Sequence, residues 1–206
     1  MPEHDNLDGH NVLKTKGAIH YLTSEEIEKD KEYLFSISSK LRDKNIISLI
    51  IGGPTQYYDY SDRNIQEIFS KVNYLVKENN LNLVVIPSMR TPKGTIEHAK
   101  IYFGNDHLVL DGVDKKAYLS ALSQSKHLVI TCDSSSMISE AALTGKPIYI
   151  ATIPPKKSDK RFKNFRKLFQ EMKIVRELGE KLENWNYEKL DETNRVANII
   201  KDKIQL

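Results

Sequence analysis

The sequence predicts one α/β domain built on a doubly wound, mostly parallel sheet with helices on both faces, and three observations lead there. Short β-branched runs alternate with longer helical patterns along the 206 residues. Parallel neighbours require such crossovers, which are right-handed. The run Ile46-Ile47-Ser48-Leu49-Ile50-Ile51 is almost continuously apolar, as strands are when helices cover both faces. Four loop signals, at Gly52-Gly53, Ser88, Asp111-Gly112 and Asp133, each directly follow a strand-like run. Ligands of doubly wound sheets bind beyond the carboxyl ends of the strands, so all four loops are expected along one edge.

Taken in order, residues 1–20 read as a lead-in and 21–206 as the single domain. Thr23-Ser24-Glu25-Glu26 has the spacing of a capping box, Thr23 hydroxyl and Glu26 carboxylate each satisfying a free amide. A helix of about five turns follows to near residue 43. Strand 46–51 runs into Gly52-Gly53-Pro54, and a helix spans 62–78. Strand 83–86 stops at Pro87, the loop 88–92 carries Arg90, and a short helix covers 96–102. Strand 107–110 ends at Asp111-Gly112. Asp114 caps a helix over 117–122. Strand 127–131 leads through Cys132-Asp133-Ser134-Ser135-Ser136 into a helix that Gly145 stops. Strand 147–151, a basic helix after Pro155, a short 174–176 segment and a terminal helix over 191–204 complete five strands.

Hydrophobic residues make up 39% and charged residues 29%, with 9 Gly and 7 Pro, which excludes collagen-like, low-complexity and disordered classes. No apolar run approaches the ~20 residues of a bilayer-spanning helix. The acidic start Pro2-Glu3-His4-Asp5 lacks a secretory h-region. A single cysteine, Cys132, excludes an internal disulfide, and residence in the cytosol is expected. The net charge of +3 conceals an asymmetry. Between Lys156 and Lys173 eight Lys or Arg stand against Asp159 and Glu171. Such a stretch attracts phosphates or an anionic lipid surface, or else is a solvated helix face. Its apolar members Phe162, Phe165, Leu168 and Phe169 recur at helical spacing, which reads as core sooner than lipid contact.

Gly52-Gly53-Pro54-Thr55 lets backbone amides approach a ligand and adds a hydroxyl, or simply ends a strand. Neither GxxxxGK[ST] nor GxGxxG spacing is present. Thr131 to Ala142 is the richer candidate. Small hydroxyl residues at a helix start leave amides pointing outward where the dipole is positive, a pocket for a diphosphate. Glu140, four residues after Ser136, is placed to accept both hydroxyls of a ribose. The plainer reading makes Ser134 or Ser136 an ordinary cap and Glu140 a solvated carboxylate. Arg90 offers a bidentate fork to anionic oxygens. Tyr57, Tyr58 and Tyr60 stack on a base or sugar, or pack a loop onto the sheet. The six histidines show no ligand spacing, so no protein-built metal site is expected. No GxSxG elbow supports a serine hydrolase.

With these segments placed, the chain resembles the mitochondrial fission protein family of plants and bacteria. The matching pieces run in order: Pro2-Glu3-His4-Asp5 with Gly9-His10-Asn11-Val12 and Thr15-Lys16-Gly17-Ala18, then Ile50-Ile51-Gly52-Gly53-Pro54, Ser88-Met89-Arg90-Thr91-Pro92, Thr131 through Pro147, and Asp191-Glu192-Thr193 with Arg195-Val196-Ala197. The resemblance implies the Rossmann-like, carboxyl-terminal half of a GT-B glycosyltransferase or of a nucleoside-diphosphate-sugar epimerase-like protein. That half binds a UDP-sugar or other NDP-sugar, for glycosyl transfer or epimerisation in the full-length protein. It also implies that Glu140 holds the ribose and that Ser134 to Ser136 approach the diphosphate.

The expected nucleotide-sugar site therefore comprises Gly52, Gly53, Pro54, Thr55, Arg90, Thr91, Asp111, Gly112, Asp133, Ser134, Ser135, Ser136, Met137 and Glu140, with no permanently bound cofactor and no assigned catalytic residue. Two departures from the family stand out. The chain begins at the motif that normally follows the amino-terminal acceptor domain, so that half, with the usual catalytic base, is expected to be absent or supplied by a partner. Lys116-Ala117 precede Tyr118 where the family has Asn-Pro. The alternative is a non-catalytic adaptor that recruits a membrane-remodelling partner, peripheral to a membrane through 156–173 and sensitive to charge reversal at Arg161, Arg166 and Lys167. Nucleic acid is not an expected partner, because only charge favours it.

Overall fold

The computed structural model describes residues 2–5 and 8–204; the outermost ends of the expected lead-in and domain, and residues 6 and 7, lie outside the described residues. Six parallel strands form one sheet: β1 (Ile46–Ile51), β2 (Asn82–Pro87), β3 (Leu108–Val109), β4 (Ser125–Thr131), β5 (Ile148–Ala151) and β6 (Val175–Glu177). Their order is β3-β2-β1-β4-β5-β6. The chain thus winds outward from β1 to one edge, returns, and winds from β4 to the other. The reversal between β1 and β4 is a topological switch point.

Every residue of β1 is buried, which follows from its central place and its apolar run. Its one polar side chain, Ser48, pairs with Ser125 across to β4, Oγ to Oγ at 2.7 Å, so neither of these two hydroxyls is stranded. Right-handed crossovers put α3 (Asp62–Glu78) and α4 (Lys93–Phe103) on one face, and α5 (Lys115–Gln124), α6 (Ser135–Ala142) and α7 (Lys160–Glu171) on the other. On α3 the buried residues Ile65, Ile68, Phe69, Val72, Leu75 and Val76 repeat at helical spacing. Ser61 caps its start and Asp114 caps α5, accepting from the Ala117 amide at 3.0 Å. Gly145 sits at φ +72° just beyond α6, a conformation that costs a side-chain-bearing residue strain.

The structure corrects the sequence reading in four places. There is a sixth strand: β6 was expected as an undefined segment because only Val175 of its three residues is buried. The long first helix is broken into α1 (Ser24–Lys29), α2 (Tyr33–Ile37) and a short turn at Ser39–Leu41. The buried Ser120 hydroxyl enters the break, donating to the Lys31 carbonyl and accepting from the Leu34 amide at 3.1 Å. Only half of the capping box forms, since Thr23 accepts from the Glu26 amide while the Glu26 carboxylate lies 3.7 Å from Lys115. Finally, the basic stretch is not one continuous surface. Phe165 and Phe169 enter the core as their spacing predicts, and Arg166 is buried with them, so charge reversal there would perturb the fold and not a surface.

The segment before α1 is stitched down by side chains from distant elements. The Lys16 amide donates to the buried carboxylate of Glu192 at 2.7 Å, and the Ala18 amide to Ser139 Oγ at 2.9 Å. Thr193 Oγ1 donates to the His20 carbonyl at 2.6 Å, and Arg195 to that of Lys14 at 2.7 Å. Both Glu192 and Thr193 open the last helix, α8 (Glu192–Ile204).

Ser120→Ala should cost about 1–3 kcal/mol, because it leaves the buried Leu34 amide unsatisfied. Urea unfolding measures this; a change below a few tenths would mean that the break does not depend on the hydroxyl.

Candidate functional site

At the switch point the loops after β1, β2 and β4 meet on one carboxylate. The side chain of Asp133 has no solvent exposure. It accepts from the Gly53 amide at 3.2 Å and from Arg90 Nη2 at 2.8 Å on Oδ2, and from the Tyr60 hydroxyl on Oδ1. Arg90 also donates Nη1 to the Gly53 carbonyl at 3.1 Å. A buried charge needs this kind of neutralisation. Tyr60 and Thr131 lie 2.9 Å apart through their hydroxyls, and Thr131 Oγ1 accepts from the Gly52 amide at 2.8 Å. Burial and the Asp133 charge push the Tyr60 phenol far up, so it stays protonated as a donor.

This packing explains the two glycines. A Cβ on Gly52 would lie 2.2 Å from Asp133 Oδ2, and one on Gly53 would lie 2.0 Å from the Arg90 carbonyl oxygen. Both amides are engaged within the protein, and what glycine permits is the approach of Asp133 and of the Arg90 backbone. Thr91 completes the junction: its Oγ1 accepts from the Ser88 amide and lies 2.8 Å and 2.7 Å from the Ile51 and Gly52 carbonyls.

A second buried network braces the same loops. The Tyr58 hydroxyl donates to Asp159 Oδ2 at 2.6 Å, Arg166 Nη2 binds that oxygen at 3.0 Å, and Arg166 Nη1 reaches the Tyr58 hydroxyl at 2.8 Å. The same nitrogen lies 3.4 Å from the Cys132 carbonyl. Burial raises the Asp159 carboxyl, but the hydrogen bonds from Tyr58 and Arg166 and the arginine charge outweigh it and hold the group below its usual range. Burial likewise pushes the Cys132 thiol up to about 11, which disqualifies it as a nucleophile near neutrality.

Beside this junction α6 begins. Ser134 caps it, accepting from the Met137 amide at 3.3 Å, while Ser136 is exposed and Ser135 and Met137 half-buried. Ser135 borders a cleft of about 120 Å³ shared with Gly17, Ala18, Arg161, Phe162 and Phe165. One turn on, Glu140 Oε2 accepts from the Tyr118 hydroxyl at 2.6 Å. Burial, then the Glu140 charge, raise that phenol well above its ordinary value, so Tyr118 remains the donor and fixes the carboxylate.

Of the expected site residues, the structure joins Gly52, Gly53, Arg90, Thr91 and Asp133 through direct contacts and sets Ser134 to Met137 and Glu140 on the adjoining helix. Thr55 is taken up in a turn, accepting from the Tyr57 and Tyr58 amides at 3.0 and 3.2 Å, and Pro54 is exposed. Asp111 pairs with Lys100, and Gly112 faces open space. Sequence reasoning missed Tyr118, Asp159 and Arg166 as members of these networks. A single tyrosine after a cap and an Asp and Arg seven residues apart in a cationic run carry no signal of burial. Among the described residues no group of three or more His, Cys, Asp or Glu is arranged to hold a metal ion, and no helix is long and apolar enough to cross a membrane.

These features define a doubly wound, Rossmann-like α/β domain with its polar junction at the switch point. Residues 1–204 match the family described as Mitochondrial fission ELM1, and the chain belongs to that family. It is 27% identical over 218 residues to the uncharacterised protein RP120 of Rickettsia prowazekii, covering 99% of this chain and 58% of that protein. It is 26% identical over 206 residues to the mitochondrial fission protein ELM1 of Arabidopsis thaliana, covering 94% of this chain and 46% of that one. The chain therefore spans about half the length of these curated relatives. Among solved structures it is similar to the UDP-GlcNAc 2-epimerase of Neisseria meningitidis, which is bound to UDP-GlcNAc, with a TM-score of 0.51 and 13% identity over 88% of this chain and 49% of that one. That likeness is one of fold.

Gly53→Ala should destabilise the chain by about 2–4 kcal/mol, since the clash is with backbone and cannot be relieved by a rotamer; an unchanged urea midpoint would refute the packing. The depressed Asp159 carboxyl adds stability that is present above its unfolded value of about 3.9 and lost as pH falls through that region. Asp159→Asn should therefore be much less stable than the parent at pH 7 and closer to it at pH 3. A gap independent of pH would show that the carboxylate charge contributes nothing.

Proposed function

We propose that this chain is the nucleotide-sugar-binding half of a GT-B-like protein, with α6 as the binding element. One observation carries the reading: at the switch point a single helix bears a hydroxyl-rich start, Ser134 to Ser136, and one turn later a carboxylate, Glu140, held in place by Tyr118. A helix start attracts phosphate through its free amides and dipole, and an ionised carboxylate accepts from two vicinal hydroxyls. Together they suit the diphosphate and ribose of a nucleoside-diphosphate-sugar.

Arg90 has 43% of its side chain exposed while neutralising Asp133, and so keeps donor capacity for a distal phosphate or sugar. The Neisseria epimerase of similar fold is bound to UDP-GlcNAc, which supports a UDP-sugar as the first ligand to try. Transfer or epimerisation would draw its catalytic base from the rest of a longer protein, since at the junction Asp133 is saturated with donors and Tyr60 is held protonated, and Glu140 is assigned to the ribose.

A different observation favours the adaptor reading. Lys160, Lys163 and Lys167 recur along the exposed side of α7, a cationic strip suited to an anionic partner or membrane surface, and the Arabidopsis relative is named for mitochondrial fission.

Calorimetric titration of the 206-residue chain with UDP, GDP and UDP-sugars separates the two. Saturable binding that Glu140→Ala weakens tenfold or more, about 1.4 kcal/mol, supports the donor half-site. Tyr118→Phe should weaken it less, since the carboxylate remains but is no longer tethered. No binding by a folded chain overturns the proposal and leaves the adaptor.

A further inference from the structure

At the opposite, amino edge of the sheet lies a small cavity that the nucleotide-sugar reading does not use. It measures about 60 Å³ and is formed by Ser24, Ile27 and Glu28 of α1, Leu122 and Ser123 of α5, and Leu143, Thr144, Lys146 and Lys189. Its floor is apolar, because Ile27, Leu122 and Leu143 are buried. Its rim is polar and holds one amine in a fixed place. Lys146 stands between Gly145, at φ +72°, and the buried Pro147, so its backbone has little freedom. Its Nζ donates to the Ser123 carbonyl at the end of α5. The charged groups facing it are Glu28 from α1 and Lys189 from the stretch before α8.

We propose that Lys146 is a preferential acylation site of this protein, taking small activated acyl groups such as those of acyl phosphates. The cavity admits an acetyl-sized group, with its methyl on the apolar floor and its carbonyl at the amine. Lys189 supplies positive charge to a departing phosphate from the same rim.

Burial pushes the Lys146 ammonium down to about 8, with Glu28 opposing the fall and Lys189 adding to it. Roughly a quarter of the amine is then neutral at pH 7.5, against about one part in a thousand for an ordinary lysine. The neutral Nζ attacks the acyl carbon and an N–C bond forms. The carbon–oxygen bond to phosphate breaks, phosphate leaves with the bonding pair, and the amine proton passes to Glu28 or to water. The product is a neutral amide, which removes the charge and shortens the donor set that ties the turn before β5 to α5.

The test is competitive labelling of the full chain with limiting acetyl phosphate at pH 7.5, with each lysine's rate read by peptide mass spectrometry. Lys146 should react at least fivefold faster than the exposed Lys160 and Lys163, with a rate that levels off above about pH 8 while theirs keep rising. In 8 M urea the advantage should vanish. Lys189→Gln, an exposed substitution that leaves the fold intact, should slow Lys146 and leave Lys160 unaffected. A rate equal to or below that of the surface lysines, an advantage that survives in urea, or indifference to Lys189→Gln would each overturn the proposal. None of these outcomes depends on whether the α6 site binds a nucleotide.

Discussion

The structure turns on one fully buried carboxylate. Asp133 sits where β1 and β4 part company, and a charge in that position is stable only if donors converge on it. They come from two separate loops: the Gly53 amide and the Tyr60 hydroxyl after β1, and the Arg90 guanidinium after β2. Each convergence has a structural consequence. The β1 loop must approach closely enough that Gly52 and Gly53 tolerate no side chain, the β2 loop must fold back so that Arg90 and Thr91 grip it, and α6 must start immediately beyond. The Tyr58–Asp159–Arg166 network repeats the device one layer away, tying the β1 loop to the element after β5.

Much of this was legible in the sequence, and the part that was not has a physical pattern. Strand β1 and helix α3 fall on their expected residues because a continuous apolar run and a strong helical repeat leave few alternatives. The start of α6 was legible through its serines, and Gly52-Gly53 through its position. What those glycines approach was not, since a sequence records the need for close contact and not the identity of the neighbour. The broken first helix was invisible because its cause, the Ser120 hydroxyl, lies 86 residues from the Leu34 amide it satisfies. Strand β6 escaped notice because an edge strand needs only one buried residue to hold its register. Arg166 looked like one more surface cation in a basic run, and only the fold brings Tyr58 and Asp159 to it.

The two proposals lie at opposite edges of the sheet. At the carboxyl edge, polar groups are arranged in a graded way, from the saturated interior carboxylate, through the half-exposed Arg90, to the helix start and Glu140. The chain spans about half the length of the curated relatives it matches. At the amino edge the constrained Lys146 amine over an apolar floor has the chemistry proposed for it, that of a nucleophile. The lysines on α7 form a third surface, with its apolar side committed to the core and its cationic side outward.

Under the proposed function the beginning of α6 and Glu140 receive a nucleoside diphosphate while the Asp133 junction stays intact beneath them. Amide chemical shifts of the isotope-labelled chain, followed during titration with UDP, test it directly. Saturable shifts should centre on Ser135, Ser136, Met137 and Glu140, with the Gly52 and Gly53 amides moving little because their partners are internal. Shifts centred on another face, or none along α6 at UDP concentrations that saturate the calorimetric signal, would contradict it.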